Sequence, residues 1–233
     1  MSHHISSVQL MSSTMVGITT DQIDRRAQGL ITEVGAYPSS LLYNGFPKSI
    51  TTSVNNIVAH GIPDDRPLLN GDIITVDVAV YYKGYHGDSS ETFLVGEVDN
   101  GGKKLVTAAR EIMQAGINCC RPGISFSTLG GVIDGEARKR GLCVLPCVGA
   151  HGVGRFLHEY PHIFQFANNY VRGQEKMEKG MVFTVEPAIG QGKPDCVTLS
   201  EDNWTVTTFD GSRAAYFEHT ILITDTGHEI LTE

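Results

Sequence analysis

The 233-residue sequence lacks long hydrophobic runs, an excess of positive charge and any internal repeat. No apolar run approaches the roughly 18 residues that a membrane helix needs, so we predict a soluble protein that does not bind membranes. The 18 lysines and arginines are outnumbered by 26 aspartates and glutamates, giving a net charge of −8, which argues against direct binding of nucleic acid. Hydrophobic residues make up 41% of the chain and no low-complexity linker divides it, so we expect one domain with a substantial core.

The N-terminal stretch lacks the features of a targeting signal. It has no lysine or arginine before Arg25, so neither a secretory signal nor a mitochondrial transit peptide is predicted. We expect residues 1–17 to form a loose leader and residues 18–233 to form the folded domain. The five cysteines, an odd number, favour reduced thiols in an intracellular protein over a disulfide framework.

Hydrophobic periodicity predicts a mixed α/β (α+β) domain. Thr19 and Gln22 have the spacing of a capping box and begin a helix that Pro38 closes. The helical period predicts two further helices at residues 103–119 and 127–140. A period of two predicts strands at residues 72–82, 88–96, 181–189, 204–209, 214–224 and around 230.

Four carboxylates interrupt strands that are otherwise apolar. Asp77 is typical, since alternation along its strand places it on the face opposite Val76 and Val78. The other three are Asp88, Glu186 and Glu218, and a histidine, His151, stands in a glycine-rich loop. Burying an ionised carboxylate without a partner costs several kcal/mol, and no lysine or arginine lies near the centre of these strands. The pattern therefore favours metal ligands.

Four carboxylates and one imidazole suit Mn²⁺, Co²⁺, Fe²⁺ or Zn²⁺. Two adjacent ions that share bridging carboxylates would explain why there are four acids. Taken singly, each acid is more often a solvated charge at a strand edge, and His151 a hydrogen-bonded loop histidine. Spacing alone thus indicates a metal site and assigns no reaction.

Six motifs resemble, in order, those of the type 1 methionine aminopeptidases of peptidase family M24. They are Asn55–Pro63, Gly71–Val78, Tyr85–Asp88, His151–Gly154, Phe183–Pro187 and Phe217–Thr220. The resemblance runs from about Gly17 to the C-terminus, and residues 81–93 are most similar to the organellar branch of the eukaryotic enzymes. It implies a single pita-bread domain whose halves are related by a pseudo-twofold axis, with residues 18–233 as the catalytic domain.

The resemblance implies a methionyl aminopeptidase that removes the N-terminal methionine from nascent proteins and peptides whose second residue is small and uncharged. Asp77 would chelate one divalent ion, His151 and Glu186 the other, and Asp88 and Glu218 would bridge both. A water between the two ions (Co, Mn, Fe or Zn) would attack the first peptide carbonyl. Glu186 would also relay a proton to the leaving amine.

Two further histidines match the substrate-binding histidines of the family. His158 would stabilise the oxyanion or the scissile carbonyl, and His60 would hydrogen-bond the peptide beyond that bond. The methionine side chain would enter an apolar pocket, where a thioether gains from aromatic neighbours. By the same matching, that pocket would be lined by Tyr43, Phe46, Trp204, Leu157, Thr51 and Ser40. The last three depart from the residues that are common in relatives, which leaves the shape of the pocket open.

Two alternatives remain on the sequence: a non-catalytic pita-bread module that binds nascent chains or ribosomes, and a metallohydrolase that acts on another amide or a phosphoester. A type 2 enzyme is excluded because only 28 positions separate His158 from Glu186, which leaves no room for its helical insertion. The implied partner is the N-terminal methionine of nascent polypeptides, with the ribosome as a further candidate, and we expect a monomer. The sequence leaves cytoplasm and mitochondrion open.

Overall fold

A computed structural model describes residues 16–167 and 175–232 and confirms the mixed α/β class. The leader predicted for residues 1–17 lies almost entirely outside these ranges. The helices are α1 (Thr20–Glu33), α2 (Asn100–Cys119) and α3 (Phe126–Lys139), with a short 3-10 turn at Tyr43–Gly45. The strands are β1 (Tyr37–Pro38), β2 (Thr51–Val54), β3 (Ile57–Ala59), β4 (Ile73–Tyr82), β5 (Tyr85–Leu94), β6 (Cys143–Val144), β7 (Ala150–Gly152), β8 (Glu159–Ile163), β9 (Val182–Val185), β10 (Ala188–Gly190), β11 (Val197–Leu199), β12 (Val206–Thr208), β13 (Ala214–Tyr216), β14 (Glu218–Ile223) and β15 (His228–Ile230).

Helix α1 begins at the predicted capping box. The backbone N–H of Gln22 donates to Oγ1 of Thr19 at 3.2 Å, and the N–H of Thr19 donates to Oε1 of Gln22 at 2.9 Å. The two bonds satisfy backbone donors that have no partner within the helix. The predicted end of the helix is wrong, because α1 stops at Glu33 and Pro38 lies in strand β1.

The largest sheet is antiparallel and has the strand order β1-β4-β5-β14-β9-β7-β8, with β2 also paired to β4 and β15 to β14. Its β4–β5 hairpin confirms the predicted one. The turn lies at Lys83 and Gly84, whose φ angles of 49° and 94° are both positive, as a tight hairpin turn requires. Two three-stranded sheets, β13-β10-β6 and β11-β12-β3, complete the fold.

Two of the predicted strands are interrupted where the chain passes between sheets. The strand predicted at 181–189 divides into β9 and β10 at Glu186 and Pro187, since proline has no N–H to donate to a ladder. The strand predicted at 214–224 divides into β13 and β14 at Phe217. β10 and β13 pair with each other in a smaller sheet, while β9 and β14 pair in the large one. Both predicted acids on these strands therefore lie at a crossing between sheets.

The helices pack against one face of the large sheet. Residues of α1 form a buried cluster with Val76 and Val78 of β4, and residues of α2 and α3 form another with Phe183 of β9 and Ile221 of β14. The pairing registers place these sheet residues on a common face. In the described residues no helix is long and apolar enough to cross a membrane, and all five cysteines are free thiols.

Candidate metal centre and active site

The five predicted metal ligands come from five adjacent strands of the large sheet, β4, β5, β14, β9 and β7. In that order they are Asp77, Asp88, Glu218, Glu186 (directly after β9) and His151. Asp77 and Glu218 are both paired with Ser90, from opposite sides of β5, so their side chains lie on the same face. That face is the one turned away from the helices. The structure thus brings all five residues together, and their individual roles stay predictions.

The ligand atoms lie close enough to share a divalent ion. Nε2 of His151 is 3.5 Å from Oε1 of Glu186 and 3.9 Å from Oδ2 of Asp88. One ligand atom each from Asp88, His151 and Glu218 lies within 4.8 Å of the other two. Among the described residues, this is the cluster whose spacing fits a metal ion.

The orientation of His151 suits metal ligation. Its Nδ1 donates to the carbonyl oxygen of Gly152 at 3.1 Å, which leaves the Nε2 lone pair facing the carboxylates. A backbone acceptor of this kind commonly fixes the tautomer of a metal-binding histidine. Gly152 is required there, because a Cβ at that position would lie 2.2 Å from the carbonyl oxygen of Tyr160.

The four carboxylates carry the electrostatic signature of a cation site. Burial, with the charge of Asp88 beside it, raises the pKa of Asp77 to about 7, and burial raises the pKa of Asp88 to about 6. Burial, followed by repulsion from the neighbouring acids, also raises the pKa values of Glu186 and Glu218. Oδ1 of Asp88 and Oε1 of Glu218 are buried and accept no hydrogen bond from the described part of the chain. A divalent cation would satisfy these oxygens and relieve the repulsion.

Three residues that the sequence did not single out hold the ligands in place. The hydroxyl of Tyr216 donates to Oδ2 of Asp77 at 3.0 Å, and that of Thr184 donates to Oε1 of Glu186 at 2.6 Å. Oε1 of Gln165 accepts the backbone N–H of Glu186 at 2.8 Å. Thr184 could have been found two positions before Glu186 on the same strand face, whereas Tyr216 is 139 positions from Asp77 and gives no local signal.

A cavity of about 200 Å³ opens beside the ligands. Its lining includes all eight predicted substrate-binding residues: His60, His158, Tyr43, Phe46, Trp204, Leu157, Thr51 and Ser40. The rings of Phe46 and Trp204 meet edge to face, with centroids 5.1 Å apart. Ala79 and Cys147 also line the cavity and were not predicted. The volume is below the roughly 300–1,000 Å³ of sites for drug-sized ligands, which suits a single side chain.

His158 lies between the apolar pocket and the metal ligands. Its Nδ1 is 2.6 Å from the hydroxyl oxygen of Tyr43, and its ring centroid is 4.2 Å from that of His151. Part of the residue is exposed at the cavity mouth, but withdrawal of the ring from water, followed by the influence of His151, lowers the pKa of His158 to about 4. The imidazole is therefore neutral at pH 7, and in the tautomer whose Nδ1 accepts from Tyr43, Nε2 carries the proton and can donate toward the cavity.

His60 reaches the same cavity from the end of β3. It has a φ of 56°, the left-handed region that non-glycine residues adopt mainly at special sites. His60 is exposed on its cavity side, but desolvation of its ring, against the opposing effect of Asp77, lowers its pKa below the ordinary value.

A largely buried group of four carboxylates and one imidazole beside a cavity with an aromatic lining is typical of a metal-dependent hydrolase. The sequence model of metallopeptidase family M24 matches residues 4–225 of this chain. The human mitochondrial methionine aminopeptidase 1D is 50% identical over 221 residues, covering 95% of this chain and 65% of the relative. An Arabidopsis thaliana relative, the chloroplastic/mitochondrial methionine aminopeptidase 1C, is 51% identical over 215 residues, covering 92% and 62%.

Comparison with a solved structure also indicates similarity to methionine aminopeptidases. The crystal structure of methionine aminopeptidase from Rickettsia prowazekii superposes with a TM-score of 0.90 at 41% identity, covering 94% of this chain and 88% of that one. The chain belongs to metallopeptidase family M24, and the predicted resemblance to methionine aminopeptidases with the pita-bread fold is confirmed. It spans somewhat less than two thirds of the length of the curated relatives cited above.

Proposed function

We propose that this chain carries the catalytic domain, over residues 18–233, of a methionyl aminopeptidase. The observation that supports it most is the joining of two features in one cavity: a five-ligand cluster from five adjacent strands and a pocket with three aromatic residues. The relatives at about 50% identity bear the name of this activity. They give no support to the alternative of a non-catalytic binding module.

The residues present fit two divalent ions of the Co, Mn, Fe or Zn type. Asp77 would hold one, His151 and Glu186 the other, and Asp88 and Glu218 both. Bound ions would supply Lewis acidity and a water that is nucleophilic at neutral pH. The unpaired buried oxygens of Asp88 and Glu218 support the two bridging positions, because each has an acceptor atom to spare.

The protein residues of the cavity then position the peptide and move protons. In the tautomer whose Nδ1 accepts from Tyr43, which lies 2.6 Å away, neutral His158 would donate from Nε2 to the scissile carbonyl oxygen, where negative charge develops. Glu186, whose pKa burial raises, can take a proton during attack and deliver it to the leaving amine. His60 binds the peptide beyond the scissile bond.

The substrate proposed is the N-terminal methionine of a nascent polypeptide, with a small, uncharged second residue. The cavity size and the rings of Tyr43, Phe46 and Trp204 suit a thioether side chain, since sulfur–aromatic contacts each contribute about 0.3–1.5 kcal/mol. A phosphoester substrate is disfavoured because no lysine or arginine of the described residues lines the cavity. The names of the human and Arabidopsis relatives favour an intracellular, mitochondrial setting. Monomeric state and ribosome binding stay predictions.

The direct test removes metal with a chelator and then measures release of methionine from Met-Ala-Ser with Mn²⁺ or Co²⁺ added back. Leu-Ala-Ser and a Met-Pro peptide are the matched controls for the first and second residues. We expect cleavage that is lost with chelator, restored by metal and confined to Met-Ala-Ser. A folded protein that binds metal and cleaves none of the three would contradict the proposal.

A further inference from the structure

Two of the metal ligands each accept a hydrogen bond from a buried hydroxyl, one on each side of the centre. Tyr216, 2% exposed, donates to Oδ2 of Asp77 at 3.0 Å. Thr184, fully buried, donates to Oε1 of Glu186 at 2.6 Å, and its Oγ1 accepts the backbone N–H of His151 at 3.0 Å. The Tyr216 hydroxyl thus contacts Asp77, which is proposed to bind only the first ion. The Thr184 hydroxyl contacts Glu186 and His151, the two ligands that are proposed to bind only the second ion.

The backbone of Tyr216 is fixed independently of the metal centre. Its N–H donates to Oγ1 of Thr92 at 3.1 Å, and that hydroxyl donates back to the carbonyl oxygen of Tyr216 at 2.8 Å. Oγ1 of Thr75 lies 2.8 Å from Oγ1 of Thr92, and Tyr216 pairs with Ala188 in the smaller sheet. The phenol therefore projects from an anchored segment, so its position does not depend on Asp77.

Among the described residues, one other side-chain hydroxyl lies near the Asp77 carboxylate. The hydroxyl of Thr51 also points to Oδ2, but at 3.5 Å, the outer limit of a hydrogen bond. Both donors reach the same oxygen, which leaves Oδ1 for another partner. Without the Tyr216 hydroxyl, the Asp77 carboxylate would lose the shorter of its two hydroxyl donors among the described residues and gain rotational freedom that ion binding must then remove.

We propose that Tyr216 is a positioning residue that sets the affinity of the ion bound by Asp77, separately from the ion bound by His151 and Glu186, which Thr184 serves. The proposal rests on the two-ion assignment made under the proposed function. Hydrogen-bond partners behind metal ligands typically change affinity by about 10–100-fold when they are removed. Under that two-ion assignment, each of the two hydroxyls serves a different ion.

The test titrates metal-free protein with Mn²⁺ by calorimetry for the wild type, Tyr216→Phe and Thr184→Val, which remove one hydroxyl each with little change in shape. Asp77→Asn identifies the binding step that belongs to Asp77. We expect Tyr216→Phe to weaken that step by about 10–100-fold and to leave the other within about threefold. Thr184→Val should weaken the other step instead. Addition of Tyr216→Phe to Asp77→Asn should cause no further loss.

Several outcomes would overturn the proposal. Equal weakening of both steps by Tyr216→Phe, together with a lower melting temperature of the metal-free protein, would show a merely structural role. An unchanged titration, weakening of the same step by both variants, or fewer than two Mn²⁺ ions bound by the wild type would also refute it. Because binding is measured without a peptide, a wild type that binds two ions but cleaves no Met-Ala-Ser would refute the proposed function alone.

Discussion

The two faces of strand β4 differ in chemistry although they share one backbone. Ile74, Val76 and Val78 face helix α1 in a buried apolar cluster. Asp77 and Ala79, on the other face, line the candidate active-site cavity. The first face gains free energy from removing apolar surface from water, whereas the second holds a carboxylate whose ionised form burial disfavours.

This difference shows how the strand can carry both the fold and the candidate site. Packing on the helix side is shared among many non-directional contacts, whereas the cavity side depends on particular oxygen and nitrogen atoms at short range. Substitutions on the two faces should therefore affect different measurements. On the helix side they should lower the free energy of unfolding, and on the cavity side they should lower metal affinity and turnover.

The largest effect is expected for Glu218→Gln on the cavity side, since this residue is proposed to contact both ions. Metal-ion stabilisation of a transition state contributes several kcal/mol, so we expect kcat/KM for Met-Ala-Ser to fall by about a thousandfold or more. Glu97→Gln is the matched control, because the Glu97 side chain is 90% exposed and does not line the cavity. Near wild-type turnover of Glu218→Gln with saturating metal would disprove the bridging role.

On the helix side, Ile74→Ala should lower the free energy of unfolding by about 2–5 kcal/mol, because Ile74 is fully buried against α1 and its truncation leaves a cavity. Chemical denaturation of the metal-free protein measures this loss. The Mn²⁺ affinity of the variant should match that of the wild type under conditions in which both are folded. A marked loss of affinity would mean that the two faces are not separable.

His158→Ala tests the cavity beyond the metal ligands. If the imidazole donates to the developing oxyanion, kcat should fall by about 100–1,000-fold, with a smaller change in KM. Tyr43→Phe, which removes only the hydroxyl at Nδ1, should have a weaker effect of the same kind. A change confined to KM would reassign His158 to ground-state binding.

The smallest effect concerns pH. Because the pKa values of Asp77 and Asp88 are raised to about 7 and about 6, the metal-free folded protein retains protons that the unfolded chain has lost above about pH 4. Their contribution to metal-free stability therefore falls as pH rises through this window. Mn²⁺ must displace these protons when it binds. Its affinity should therefore drop about tenfold for each pH unit by which the pH falls below the pKa of an aspartate, for each proton displaced.

Thermal melting with and without Mn²⁺ at several pH values measures this effect. The rise in melting temperature caused by Mn²⁺ should therefore be larger at pH 8 than at pH 5. A rise that is equal at both pH values would show that the two aspartates are not protonated in the metal-free protein.

Local patterns in the sequence predicted a large part of this architecture. Three features depend on residues only a few positions apart and can therefore be predicted from the sequence. They are the capping box at Thr19, the hairpin turn at Lys83 and the two faces of β4. The sequence did not predict the short strands β1, β2, β3, β6, β7, β8 and β11, which have two to five residues each and so show too little alternation to be recognised. It also missed the break after β9, although Pro187 is a local signal for it, and the break after β13, which depends on the sheet that the chain joins next.

For the candidate site, the sequence by itself determined the set of residues, since four acids lie against the pattern of their strands and the motifs resemble a known family. Only the tertiary structure decided how these residues meet. The order β4-β5-β14-β9-β7 sets one ligand beside the next, and it brings the hydroxyl of Tyr216 onto Asp77 across 139 positions. The physical reason is that alternation specifies the face on which a side chain lies, whereas strand order and register depend on packing and hydrogen bonding over the whole chain.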